Sequence, residues 1–287
     1  MTSKQKNLIV RTITGILFVA VMVSGFLNAM AMMLLFCIIT GLTLWEYTGL
    51  VNNYVADTTV NRFISTVGGV YLFIAVGAWA SGIVTGFAVL VPYILTIIYL
   101  LISELYTKSA NAVADWAYTM LGQLYIALPL ALINILSFPV QDIQYYDMYL
   151  PLSVFILLWC NDAGAYCVGS LIGKHKLFPR ISPGKTWEGS IGGGVIAIIA
   201  AGIIGYLVNN SDAGHLLNVW EWIGLAVVVV VFGTWGDLVE SLFKRTLGIK
   251  DSGNILPGHG GMMDRFDSSL MAIPAAVIYL YALQLFA

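Results

Sequence analysis

Charge is what this chain has least of. Lys, Arg, Asp and Glu together make up 10% of its 287 residues, against 59% hydrophobic residues and a mean hydropathy of +0.88. An ordinary soluble domain is about 25% charged and about 45–50% apolar. A single water-soluble globule is therefore excluded, and lipid is the natural solvent. Cysteine is scarce: Cys37, Cys160 and Cys167 lie in apolar runs without zinc-type pairing and read as small core residues. Histidine is confined to His175, His215 and His259, none of them at zinc-ligand spacing. No internal repeat is visible, which argues against an inverted-repeat transporter. The net charge of −2 says little about partners, and no nucleic-acid partner is expected.

What is present in quantity is apolar runs of spanning length, about 20 residues each. Nine are read: 8–26, 29–51, 63–80, 82–103, 116–138, 149–169, 189–208, 220–239 and 268–286. The expected fold is an all-α, polytopic integral membrane protein, with the third and fourth spans joined by a tight turn at Ala80–Gly82. Residues 1–140 form an N-terminal scaffold and 141–287 a catalytic region. "AMA" at Ala29–Ala31 has the form of a cleavage site, but the remainder would still be polytopic, so the first span is read as retained.

Alternating the spans from a cytoplasmic N-terminus puts all thirteen Lys and Arg on the inner side or at its edge. The outer segments hold Asp142, Asp147, Asp212 and Glu221 and no basic residue. Two inner loops, 169–188 and 237–267, carry most of the polar chemistry.

Three clusters follow. In "WCNDAGAY", Asn161 and Asp162 sit near the inner end of the sixth span; Asp162, Tyr166 and Ser170 share a helical face. An acid in a span usually faces a polar cavity, although polar glue between helices is the plainer reading. In "RISPGKTWEGS", the GKT of Gly184–Thr186 lacks the P-loop glycine at position 179, which is Pro179, and no strand is expected before it. A Walker site is rejected. Ser182, Lys185 and Thr186 remain suited to phosphate, and Glu188 to a helix start. From 233 to 268, Asp237, Glu240, Ser241 and Lys244 form one stripe of a helix that continues past the membrane. The loop beyond it carries Lys250, Asp251, His259, Asp264, Arg265 and Asp267. Carboxylates mixed with basic residues suit a hard cation plus phosphates, and His259 reads as a phosphate contact.

The run Ser241–Asp267 resembles the signature of the phosphatidate cytidylyltransferase (CDP-diacylglycerol synthase) family. Its elements here are Ser241, Lys244, Arg245, Lys250, Asp251, Gly253, Pro257, His259, Gly260, Gly261, Asp264, Arg265 and Asp267, without departure. "NDAGAY" and "SPGKTWEG" are also similar to family elements; the first 150 residues match only in hydropathy. The resemblance implies cytidylyl transfer from CTP to phosphatidic acid, Mg²⁺, a second monovalent cation such as K⁺, a homodimer and the bacterial inner membrane. It implies Asp237 and Asp264 as metal ligands, and with Lys185 and Lys244 they are the expected catalytic residues. Asn161, Asp162, Ser182, Thr186, Arg245, Lys250, Asp251, His259, Arg265 and Asp267 are expected to bind substrate. A CTP-dependent lipid or polyprenol kinase is the alternative enzyme. A transporter has little support, since Glu46 and Glu104 lie near helix ends.

Overall fold

The computed structural model describes residues 3–140, 142–210 and 217–286. The chain runs through α1 (Ser3–Phe26), α2 (Ala29–Tyr54), α3 (Arg62–Ala80), α4 (Val91–Thr107), α5 (Ala112–Gly122) and α6 (Leu128–Ser137). It continues through α7 (Tyr149–Ile172), β1 (Lys176–Phe178), β2 (Ser182–Thr186), α8 (Trp187–Asn209), α9 (Val219–Thr246), α10 (Met263–Phe266) and α11 (Ser269–Phe286). Among the described residues, nine helical stretches are long and apolar enough to cross a membrane. The chain is an all-α, multi-pass membrane protein. Large apolar side chains such as Ile16, Leu105 and Ile191 are exposed, as lipid-facing surfaces require. Asp212 and His215 lie outside the described residues.

Two expectations need correcting, and the fifth span, present as expected, carries an irregularity. The third and fourth spans are not joined at Ala80–Gly82: the chain loops through residues 81–86 and a 3₁₀ turn (Phe87–Leu90) before α4 begins. Pro92, in the first turn of α4, presets the backbone for that later start. The fifth span is not a uniform helix but α5 and α6 joined by a π-helical turn, Gln123–Ala127. Pro129 supplies the cause, because it has no N–H to continue the α-helical ladder. Finally, a strand does precede "GKT": β1 pairs antiparallel with β2, with Lys176 opposite Thr186 and Phe178 opposite Ser182. The Walker reading still fails, since Lys185 and Thr186 end a hairpin strand and Pro179 holds the glycine position.

The chain forms two compact units, Met1–Met148 with Leu247–Phe266, and Tyr149–Thr246 with Asp267–Ala287. The first has an aromatic core. Phe26 and Phe36 lie 5.4 Å apart, Phe36 and Phe73 6.5 Å, and Phe36 and Phe266 6.3 Å, centroid to centroid. Phe266 is fully buried there, so the last residue of the long polar loop is an anchor in an apolar core.

The second unit is built on close helix contacts. α7 and α8 pack along small residues: a Cβ on Gly164 would come 2.9 Å from the Gly193 backbone. α9 meets the start of α11 through Gly236, where a Cβ would come 2.8 Å from the Asp267 carbonyl. At the opposite end, the Tyr279 hydroxyl donates to the Glu221 carbonyl at 2.9 Å.

Candidate active site

The second unit contains a polar pocket of about 400 Å³. Asn161, Asp162 and Tyr166 line it from α7; Ser182, Gly184, Lys185 and Thr186 from β2; Ser190 from α8; and Thr234 and Asp237 from α9. The hairpin therefore brings the second sequence cluster onto the first. Ser170, expected on the same face as Asp162, does not line the pocket; its hydroxyl donates to the Cys167 carbonyl at 2.9 Å.

Each wall has a local cause. Thr186 caps α8, its hydroxyl oxygen accepting from Gly189 N–H at 3.1 Å. Glu188, in the first turn, accepts from the N–H groups of Lys174 and His175 and pairs with the His175 ring at 2.5 Å. This fixes the base of the hairpin. Lys185 is held in an ion pair with Asp237, whose other oxygen accepts from the Ser241 hydroxyl at 3.1 Å. Asn161 is buried against Gly193, and its side-chain oxygen has no hydrogen-bond partner among the described residues.

Asp267 stands within electrostatic range of the Asp237 and Asp162 carboxylates and of the Lys244 ammonium. Lys244, expected to be catalytic, pairs at 2.5 Å with Glu240, which is fully buried one helical turn away. Arg245 is exposed and its Nε donates to the Ile181 carbonyl at 3.4 Å.

Next to the polar pocket runs an apolar groove of about 390 Å³. It is lined by Leu177, Phe178, Trp187, Ile191, Val195, Val231 and Trp235, among others, and shares Ser190 and Thr234 with the polar pocket. A polar and an apolar cavity thus meet on one pair of helices.

The signature loop belongs to the first unit. Lys250, Asp251 and Arg265 are exposed. The loop is closed by two carboxylates acting on backbone. Asp264 Oδ2 accepts from Ser252 N–H at 2.9 Å and from Gly261 N–H at 2.8 Å. Glu46, from α2, accepts from the Ser252 hydroxyl at 2.5 Å and from Met262 and Met263 N–H at 2.9 and 3.0 Å.

The glycines follow from this. Gly260 has φ +84°, and a Cβ there would collide with Asp264 Oδ2. A Cβ on Gly261 would collide with both carboxylate oxygens of Glu46. His259 Nδ1 is buried without a hydrogen-bond partner among the described residues, and its Nε2 packs on Gly15 of α1. Sequence reasoning gave Glu46 no part in the site.

The donors suit a hard cation by type. Mg²⁺ uses one or two carboxylates and takes its other oxygens from water and phosphate. Among the described residues no three Asp, Glu, His or Cys side chains converge on one point, so a protein-only cage is not formed. Asp237, which lines the pocket with Asp162, fits the carboxylate role that leaves positions for phosphate oxygens.

Comparison with known proteins identifies relatives along nearly the whole chain. The profile described as "Cytidylyltransferase family" matches residues 7–283. A phosphatidate cytidylyltransferase of Staphylococcus aureus is 34% identical over 274 residues, 94% of this chain and 98% of that protein. One from Staphylococcus haemolyticus is 37% identical over 204 residues, covering 71% and 72% of the two chains. One from Haemophilus influenzae is 48% identical over 130 residues, 45% of each.

Proposed function

The chain belongs to the cytidylyltransferase family, and from that premise we propose its reaction: CTP and phosphatidic acid give CDP-diacylglycerol and pyrophosphate, a step of phospholipid biosynthesis. It is a membrane-embedded nucleotidyltransferase. The observation that carries the reading in this chain is the polar pocket in which the Lys185 ammonium faces the Asp237 carboxylate.

A phosphate oxygen of phosphatidic acid attacks the α-phosphorus of CTP. The bond from that phosphorus to the bridging oxygen breaks, and pyrophosphate leaves with the electron pair. A phosphomonoester carries about −1.5 to −2 charges near pH 7, so the nucleophile needs no strong base. The main barrier is repulsion between two polyanions. Lys185, held in place by Asp237 before substrate arrives, places a fixed positive charge where it is needed. The hydroxyls of Ser182 and Thr186 and the Asn161 amide complete a wall that can bond phosphate and nucleotide. The adjoining apolar groove supports an acyl chain next to a phosphate in the pocket.

Mg²⁺, when bound, would neutralise phosphate charge and stabilise the leaving pyrophosphate. Asp237 would hold it in this unit. In the loop of the first unit, Asp264 is proposed as a metal-binding aspartate on the strength of the resemblance, with Lys250, Asp251, His259 and Arg265 as phosphate-facing groups. A monovalent cation such as K⁺, homodimerisation, and a bacterial inner membrane with both polar loops in the cytoplasm complete the proposal. The inward partition of all thirteen basic residues supports that orientation.

The test uses purified protein in detergent with phosphatidic acid and CTP labelled at the α-phosphate. Label should move into lipid as pyrophosphate is released. Label left in CDP, with a newly phosphorylated lipid, would overturn the reaction in favour of a kinase.

A further inference from the structure

Glu46 is not among the residues expected at the site, yet it accepts three hydrogen bonds from the signature loop. It is 8% exposed and lies on α2, within a spanning stretch. A carboxylate buried in such surroundings is costly unless its lone pairs are satisfied. Glu46 is satisfied entirely by the loop: one hydroxyl and two backbone N–H groups, from residues 206 to 217 positions later. Met262 and Met263 stand at the start of α10, so Glu46 also serves as an N-terminal cap provided by a distant helix.

We propose that Glu46 is a positioning residue for the reaction. Together with Asp264 it forms a two-carboxylate clasp that joins Ser252 to residues 261–263. The clasp sets the backbone from which Asp251, His259 and Arg265 project. The proposal rests on the reading that this loop contacts CTP or its phosphates.

Two observations show how closely the loop is fitted to Glu46. The space around Glu46 admits no extra atom at either neighbour: a Cβ on Gly253 would come 2.8 Å from its Oε2, and one on Gly261 would collide with both oxygens. All three partners are donors, so the acceptor must offer oxygen on both arms. In Glu46→Gln the side-chain amide would turn an N–H₂ towards at least one of them.

The variants are Glu46→Gln, Glu46→Asp and Ser252→Ala, compared with wild type in detergent. Steady-state kinetics against CTP are read with hydrogen exchange of the peptide spanning 250–266. Loss of one charge-assisted hydrogen bond corresponds to about tenfold or more. Ser252→Ala, which removes one of the three donors and leaves Glu46 Oε1 with the Met263 N–H, should lower kcat/KM for CTP about tenfold. Glu46→Gln should lower it about a hundredfold in the folded fraction and speed exchange at Met262 and Met263. Glu46→Asp should recover part of the loss.

A purely structural role would lower the yield of folded protein and leave the kinetics of the folded fraction unchanged. That result in Glu46→Gln overturns the proposal. If Glu46→Gln does not fold, wild-type kinetics in Ser252→Ala overturn it instead. Wild-type protein that makes no CDP-lipid would break the functional reading, whereas wild-type turnover matched by these variants breaks only the clasp.

Discussion

The two polar regions of this molecule hold their carboxylates in opposite ways. In the pocket of the second unit, Asp237 is paired with the side chain of Lys185, and Asp162 is exposed beside it. Such a pair can be opened by an incoming phosphate or cation, because each partner can trade one counter-charge for another. In the loop of the first unit, Glu46 and Asp264 are bonded to backbone N–H groups. Those bonds break only if the loop changes shape. The pocket keeps its charge available, while the loop uses its charge to fix a conformation.

Substitutions can break or sharpen that contrast. The largest effect is expected on stability, at Lys244→Ala. It removes the ammonium paired with Glu240, which is fully buried, and breaking a buried pair from one side costs about 3–5 kcal/mol. Replacing both with apolar residues should restore melting to near wild type. If Lys244→Ala melts normally but loses turnover, Lys244 belongs with the available charges.

Next comes Asp237→Asn, which should lower kcat by about 10²–10³-fold, the scale for losing one preorganised electrostatic group. It should also raise the Mg²⁺ concentration needed for half-maximal rate. Asp264→Asn is expected to match it if the resemblance holds. A mild loss with an unaltered Mg²⁺ requirement would confine Asp264 to closing the loop.

The smallest and cleanest comparison is between two glycines. Gly261→Ala drives a Cβ into Glu46 and should cost about 1–3 kcal/mol, the usual scale for overpacking. Gly184→Ala, with nothing within 4 Å, should leave the melting temperature unchanged. Equal effects at the two positions would remove the distinction between a rigid loop and an open pocket.

The sequence made the membrane spans legible because lipid imposes a long, simple pattern: runs of about 20 apolar residues between polar breaks. It also made the extension of α9 to Thr246 legible, since the Asp237–Lys244 stripe has helical spacing. The hairpin was not legible. β2 reads Ser-Pro-Gly-Lys-Thr, whose Pro and Gly are poor strand formers, and pairing with β1 overrides that preference. Nor was the π turn, whose cause is a single Pro129. Glu46 was passed over as a helix-end acid. Its partners are backbone amides more than 200 residues away, and a backbone amide leaves no mark in a sequence.

The clasp also has a consequence in time. The chain emerges from the ribosome in order, so α2 is made when Met262 and Met263 do not yet exist. Throughout the synthesis of residues 47–261, Glu46 lacks the backbone donors that satisfy it in the finished protein. The first unit therefore cannot complete its folding as an N-terminal domain ordinarily would, before the rest is made. It must wait until nearly all of the chain is present, so a chain cut short before residue 262 leaves Glu46 without its backbone partners.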